Sequence, residues 1–255
     1  MKKFLQYLLI SSILIVNGDA KDRFLWVDDE DYKPYIYKDH DGKPKGVFKD
    51  LMVEIFKRMD IPLEYQLYPW KRSQKYVQDG KADGMVTVVT KKRLEFTIPT
   101  DPLINMYEKI FTRKDNPRIK EIMNITDISQ FKGFKVLEYI GAGWAEEHFK
   151  DLDMVWVPKQ TNALIMLANK RGDIYVTSEF IGISNIKDLI KANPKYANNL
   201  KKLVATKTPL TTLEFSLLIQ KDSKFVDIIP KFNETLKEMK KDGTYDKIVN
   251  KYLNI

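Results

Sequence analysis

Apolar residues recur at helical spacing from Val47 to Met59, where Val47, Phe48, Leu51, Met52, Ile55, Phe56 and Met59 predict one buried face. Asp60-Ile-Pro62 closes that helix. Around it lie short strand-like runs: Phe24-Leu-Trp-Val27, the alternating Leu63-Glu-Tyr-Gln-Leu67, and Gly84 to Val89 after a helix over about Lys71 to Gln78. Asp41-Gly42 marks a turn. The order β-α-β-α-β implies a parallel sheet with helices on its faces.

A second set follows Pro99-Thr-Asp-Pro102, starting with a new strand over Glu108-Lys-Ile-Phe-Thr112. Phe134 to Ile140 reads as a strand, Gly141-Ala-Gly143 as a loop, and Trp144 to Phe149 as the opening of a helix. Met154 to Val157 predicts a strand, Thr161 to Asn169 an apolar helix, and Asp173 to Val176 a further strand. Two successive α/β units of similar layout point to two lobes with a cleft between them. The chain closes with a strand at Phe215 to Ile219, a helix over about Lys224 to Lys240, the stop Asp242-Gly243 and a last helix from Thr244 to Leu253.

The first twenty residues change the picture, because Lys2 and Lys3, an apolar stretch from Phe4 to Val16 and the small-residue site Gly18-Asp-Ala20 fit a secretory signal. The mature chain is expected to start at Lys21, in the periplasm. That apolar stretch is short against the roughly 20 residues of a spanning helix, which disfavours a membrane anchor. The chain has no cysteine, so disulfides and thiolate metal sites are excluded and the fold rests on its core, for which 255 residues at 44% hydrophobic content suffice. Net charge is +8, spread among 35 acidic residues, and reads mainly as solvated surface with a bias toward anionic partners. No nucleic-acid motif is present. Asp39-His-Asp-Gly42 begins like a calcium loop but lacks the later acid, so no metal is expected.

Five motifs carry a resemblance. Tyr32-Lys-Pro-Tyr35 with Asp41-Gly42 and Gly46-Val-Phe-Lys-Asp-Leu51 comes first, then Asp79-Gly-Lys-Ala-Asp83, Lys132-Gly-Phe-Lys-Val136 with Gly141, Asn169-Lys-Arg-Gly-Asp173, and the tail from Phe232 to Tyr252. In that order they resemble the extracellular solute-binding proteins of family 3, the polar amino-acid-binding components of ABC importers. The resemblance implies an α/β, two-lobed periplasmic-binding-protein fold of type II, each lobe a mostly parallel sheet flanked by helices, joined by two crossing strands. On that layout residues 21–110 and 221–255 form lobe 1, 111–210 form lobe 2 and 211–220 form the returning hinge strand. It implies a monomer without cofactor or catalytic residue, which takes up a small polar, carboxylate-bearing solute and delivers it to a membrane permease by closure of the lobes.

The residues expected to bind follow from chemistry and resemblance together. Arg93, in Thr90-Lys-Lys-Arg93, offers a planar fork of donors to a carboxylate, and the family binds an α-carboxylate with an arginine at that spacing. Tyr32 and Trp70 match positions that flank the ligand, where aromatics sandwich an apolar stem or stack on a cation; both equally suit a core. Arg72 reaches the cleft or stays on the surface. Thr87 and Val88 stand at a strand end that the family turns to the ligand, though the stretch from Asp83 to Arg93 is about two residues shorter than usual. Gly141, Ala142 and Gly143 precede a helix and present backbone N–H groups, without the hydroxyls common there, and Trp144 takes the place of a polar contact. Ser178 stands where an aspartate usually accepts the ligand ammonium, with Glu179 next to it. Either Glu179 or an acid of Asp28-Asp-Glu-Asp31 replaces that aspartate, or the ligand is not an ordinary α-amino acid.

Two other functions fit the same scaffold. Cyclohexadienyl dehydratases resemble these binders and need a buried general acid, for which Glu179 or Glu138 would serve. A free protein that presents its ligand to a sensor is the other.

Overall fold

The computed structural model describes residues 22–253, so the expected signal segment and the start at Lys21 lie outside the described residues. Among the described residues no helix is long and apolar enough to cross a membrane. In chain order the elements are β1 (Phe24–Asp29), β2 (Asp31–Tyr32), β3 (Ile36–Lys38), β4 (Pro44–Lys45), α1 (Val47–Met59), β5 (Leu63–Tyr68), α2 (Trp70–Gln78), β6 (Gly84–Val88), α3 (Lys91–Leu94) and β7 (Thr97–Arg113). Then come α4 (Ile119–Ile122), β8 (Lys135–Tyr139), α5 (Gly143–His148), β9 (Asp153–Val157), α6 (Gln160–Ala168), β10 (Ile174–Ser178), α7 (Glu179–Ala192), α8 (Ala197–Leu200), β11 (Leu203–Ala205), β12 (Thr211–Gln220), α9 (Ile229–Lys241) and α10 (Thr244–Leu253).

Nine strands form one sheet in the order β5-β1-β6-β12-β7-β10-β8-β9, with β11 paired to β7, and β2-β3-β4 form a small second sheet. β1 runs parallel to β5 and β6, and β8 parallel to β9 and β10. Between these parallel sets lie β7 and β12, antiparallel to each other and to their flanking strands. Two lobes therefore share a sheet through two crossing strands, as the resemblance implied.

Each lobe carries its own core on both sheet faces. In the first lobe Phe24, Trp26, Phe48, Phe56, Leu217 and Phe232 pack under α1, α9 and α10, while Val27, Val77, Met85 and Leu218 pack under α2. In the second, Ile110, Val136 and Ile174 point to one face and their chain neighbours Phe111, Leu137 and Tyr175 to the other, by the alternation of a strand. The tail returns to lobe 1: Arg58 Nη1 donates to Asp242 at 2.7 Å, and the Tyr252 hydroxyl to Asp50 at 2.8 Å.

Two expectations need correction. The strand expected over Glu108 to Thr112 begins at Thr97, because Pro99 and Pro102 lie opposite Leu218 and Ser216 where the β7–β12 register shifts. At such irregularities a proline's missing donor is tolerated. Helix α7 was not expected; its buried face reads Ile181, Gly182 and Asn185, which breaks the apolar period. The glycine is needed there, since a Cβ at position 182 would stand 2.2 Å from the Phe111 ring.

The aspartates of two family motifs do one structural job twice. Asp83, just before β6, accepts Leu25 N at 2.7 Å and the Ser223 hydroxyl at 2.7 Å; Asp173, just before β10, accepts Lys135 N at 2.9 Å. Each ties the entry of a strand to its parallel neighbour. We expect Asp83→Ala and Asp173→Ala each to lower unfolding free energy by about 1–3 kcal/mol, read by urea denaturation.

Candidate ligand-binding site

Arg93 reaches the seam between the lobes because Thr90 caps its short helix, accepting Arg93 N at 3.2 Å. The Thr-x-x-Arg spacing is thus a capped turn that aims the side chain inward, and the residue is only 3% exposed. Its guanidinium donates to Val88 O at 2.9 Å and to Gln74 Oε1 at 3.0 Å, and lies 5.4 Å from the centre of the Trp70 ring. Burial pulls its pKa down to about 10, so it remains a cation at neutral pH.

Lobe 2 meets it through Gly141-Ala-Gly143. The Gly141 carbonyl accepts Trp70 Nε1 at 2.8 Å and Arg93 Nη2 at 3.4 Å, and the Glu147 carboxylate accepts Lys91 N at 2.8 Å. Gly141 takes a backbone conformation that favours glycine, with φ +96°, and a Cβ there would fall 3.0 Å from the Trp70 ring; a Cβ at 143 would fall 2.9 Å from the Arg93 guanidinium carbon, which would have to shift. The hydroxyl that the family commonly carries at 143 would occupy the place of this guanidinium.

Beneath this seam lies a cavity of about 50 Å³ bounded by both lobes. Of the residues expected to bind, Tyr32, Thr87, Val88, Arg93, Ala142, Gly143 and Trp144 line it. Gly141 and Trp70 stand at its edge, joined by their hydrogen bond. Tyr32 packs on Phe215 with ring centres 6.0 Å apart, and Trp144 stacks on His148 at 4.8 Å.

Three expected residues lie elsewhere. Arg72 points away from the cleft, stacked 4.3 Å from the Tyr68 ring with its Nη2 donating to the Tyr76 hydroxyl at 2.6 Å. Ser178 is buried 3.5 Å from the Tyr35 hydroxyl, and Glu179 pairs with Lys109 at 2.6 Å. Both line a separate groove of about 970 Å³ along the Tyr107 and Lys109 side of β7. Nor does the acidic run supply the missing carboxylate in a simple way. Asp28 accepts Trp26 Nε1 at 2.9 Å, Val86 N at 3.0 Å and Asp29 N at 2.8 Å, so it braces β1 against β6.

The cavity also holds residues that the sequence reading did not select as ligand contacts: Glu108, Glu138, Tyr139 and Gln160. Both glutamates are buried, and burial pushes Glu108 up to about 8 and Glu138 well above its ordinary value. A signal for them exists in the chain. Glu138 interrupts the apolar strand Val136-Leu137-Tyr139, where a carboxylate has no solvent face to occupy.

The family model for bacterial extracellular solute-binding proteins, family 3, matches residues 26–255. The chain belongs to this family. A relative, the probable amino-acid-binding protein YxeM of Bacillus subtilis (strain 168), is 27% identical over 228 residues, which cover 87% of this chain and 80% of the relative. Among solved structures, a histidine kinase sensor domain with similarity to periplasmic binding proteins superposes with a TM-score of 0.76 at 24% identity, covering 92% of this chain and 97% of that one. An ancestral arginine-binding protein bound to arginine superposes with a TM-score of 0.72 at 23% identity, over 91% and 98%. These likenesses establish the periplasmic-binding-protein fold for this family 3 chain.

The buried acids give stability a definite pH dependence. Burial raises Asp28 and Glu108 each to about 8, so the folded protein holds protons that the unfolded chain releases above about pH 4.5. Their contribution is full below that pH and is lost as pH rises through 8. Asp242, lowered to about 2 by Thr244 and Arg58, has the opposite sense: its contribution is present above about pH 4 and is lost only as pH falls toward 2. We expect a higher Tm at pH 5.5 than at pH 8.5 by scanning fluorimetry, and Glu108→Gln to flatten that slope.

Proposed function

We propose that this family 3 protein is a periplasmic amino-acid-binding component, which captures a small carboxylate-bearing solute between its lobes and hands it to the membrane permease of an ABC importer. The observation that carries this reading is Arg93, a buried guanidinium stacked on Trp70 and lying against Gly143 of the other lobe. Its present acceptors are neutral carbonyl oxygens, and a carboxylate is a stronger, bidentate acceptor for the same fork. The name of the B. subtilis relative supports an amino acid as the solute.

Entry requires the lobes to part, since about 50 Å³ is far below the roughly 300–1,000 Å³ of ordinary ligand pockets. We take residues 21–110 and 221–255 as one lobe, 111–210 as the other and 211–220 as the returning hinge strand. The pairing supports a division close to these bounds, with β7 entering the lobe 2 sheet slightly before residue 110: β12 joins β6 from Phe215 onward, and β7 joins β10 from Glu108 onward, leaving Asn105 to Tyr107 and Thr211 to Glu214 paired chiefly with one another. Motion about these strands opens and closes the seam at Trp70 and Gly141.

At a hundred times its Kd, a cognate amino acid should raise Tm by about 5–10 °C and reduce the radius of gyration by small-angle scattering. Arg93→Ala should weaken that ligand by about 100-fold or more, and Arg93→Lys by less, in calorimetric titration. No response of either kind to a full panel of amino acids and small carboxylates overturns the proposal.

A further inference from the structure

The structural acids of this protein share a habit: their carboxylate oxygens accept backbone N–H groups. Asp28 takes two such groups and an indole N–H, Asp83 takes Leu25 N, and Asp173 takes Lys135 N. Glu108 departs from it. The residue is 5% exposed and lines the interlobe cavity, and among the described residues its carboxylate makes no hydrogen bond or ion pair. Glu138, 3% exposed and lining the same cavity, accepts one N–H, from Tyr139 at 2.8 Å. An ionised buried carboxylate without partners is costly, so Glu108 either holds a proton, as burial favours, or takes a cationic partner from outside the chain.

The two glutamates lie on one face of the lobe 2 sheet. Glu108 stands opposite Ser178, and two residues back along β10 from Ser178, Val176 continues the register that sets Tyr175 beside Leu137, next to Glu138. The groups facing them are Tyr32 from β2 and Tyr139 from β8, phenols that burial keeps neutral, with Arg93 from α3 also lining the cavity. Lys109, adjacent in sequence, is turned to Glu179. Burial keeps both glutamates protonated near neutral pH in the empty cleft; a cationic group brought beside them favours their ionised form, and with both ionised the cavity carries one cation and two anions, which a ligand of net charge +1 balances.

Resting on the amino-acid reading above, we propose that Glu108 and Glu138 receive the positive groups of the solute, so that the cleft takes an amino acid with a second cationic group, its carboxylate held at Arg93. This moves ammonium recognition from the Ser178 position to β7 and β8. It also makes closure selective, because bringing the lobes together removes both carboxylates from water, where each takes up a proton unless a ligand cation replaces the lost solvation.

The experiment is calorimetric titration of the protein, Glu108→Gln and Glu138→Gln at pH 8 with L-arginine, L-lysine, L-glutamine and L-citrulline, the last a neutral counterpart of arginine. Arginine or lysine should bind the wild type at least about tenfold tighter than citrulline. Each glutamine variant should lose about 10–100-fold toward the cationic probe and little toward the neutral ones. The variants are near-isosteric and discard a buried charge, so their Tm without ligand should be unchanged or higher. Wild-type protein that binds citrulline or glutamine as tightly as arginine, or variants that keep the full preference, overturns the charge assignment and leaves the carboxylate reading standing. Binding of none of the four overturns both.

Discussion

Pairing between β7 and β12 is the constraint on which the rest depends, since these two antiparallel strands are the ones that belong to both lobes. Their upper halves complete the lobe 1 sheet beside β6, and the C-terminal half of β7 completes the lobe 2 sheet beside β10 and β11. Register shifts at Phe215/Ser216 and Ser216/Leu218, with Pro102 and Pro99 opposite, let the pair bend without breaking. Phe215 and Glu108, one on each strand, then form the floor of the cavity that the lobes enclose. Everything placed on the rims is brought into register by this one ladder.

What the rims bring together is mostly charge and backbone. Arg93 sits against glycine because the seam must admit a planar cation between an indole and a carbonyl, and Gly143 is the position where no side chain stands in its way. Burial disfavours the charged form of all three groups, which lowers the pKa of the guanidinium and raises those of the two glutamates. On the charge assignment proposed above, a ligand of matching charge completes the cleft. Such a site couples recognition to the motion that forms it.

The β-α-β order, both lobes and the C-terminal helices were legible because their signals are local: apolar spacing in Val47 to Met59, alternation in Leu63 to Leu67, and the Asp242-Gly243 stop. Helix α7 was not legible, because tight packing on Phe111 demands glycine at 182 and the Asn185–Gln160 hydrogen bond demands amide, so the face that should read as apolar does not. At the site, Arg93 stood out through the Thr-x-x-Arg spacing that the resemblance ties to a carboxylate, a spacing the structure shows to be a capped turn. Arg72 had the same chemistry, and nothing in the chain distinguishes an arginine turned to Tyr76 from one turned to the cleft. Glu108 was hidden for a related reason: a lone acid at a strand end ordinarily faces water, and only the antiparallel neighbour β10 shows that it does not.

Asp83 and Asp173 sharpen the point. Motif aspartates carry the resemblance to the family, yet in both lobes they secure strand entries by accepting a neighbour's N–H. Because these struts hold the scaffold, the rim positions are free to differ. Ser178 gives up the carboxylate, and Glu108 and Glu138 place two others a strand away, on the same face of the same sheet. The family's motifs therefore bear on how the lobes are built and how they meet, while the acids proposed to select a ligand, Glu108 and Glu138, stand at strand positions that none of the five motifs covers.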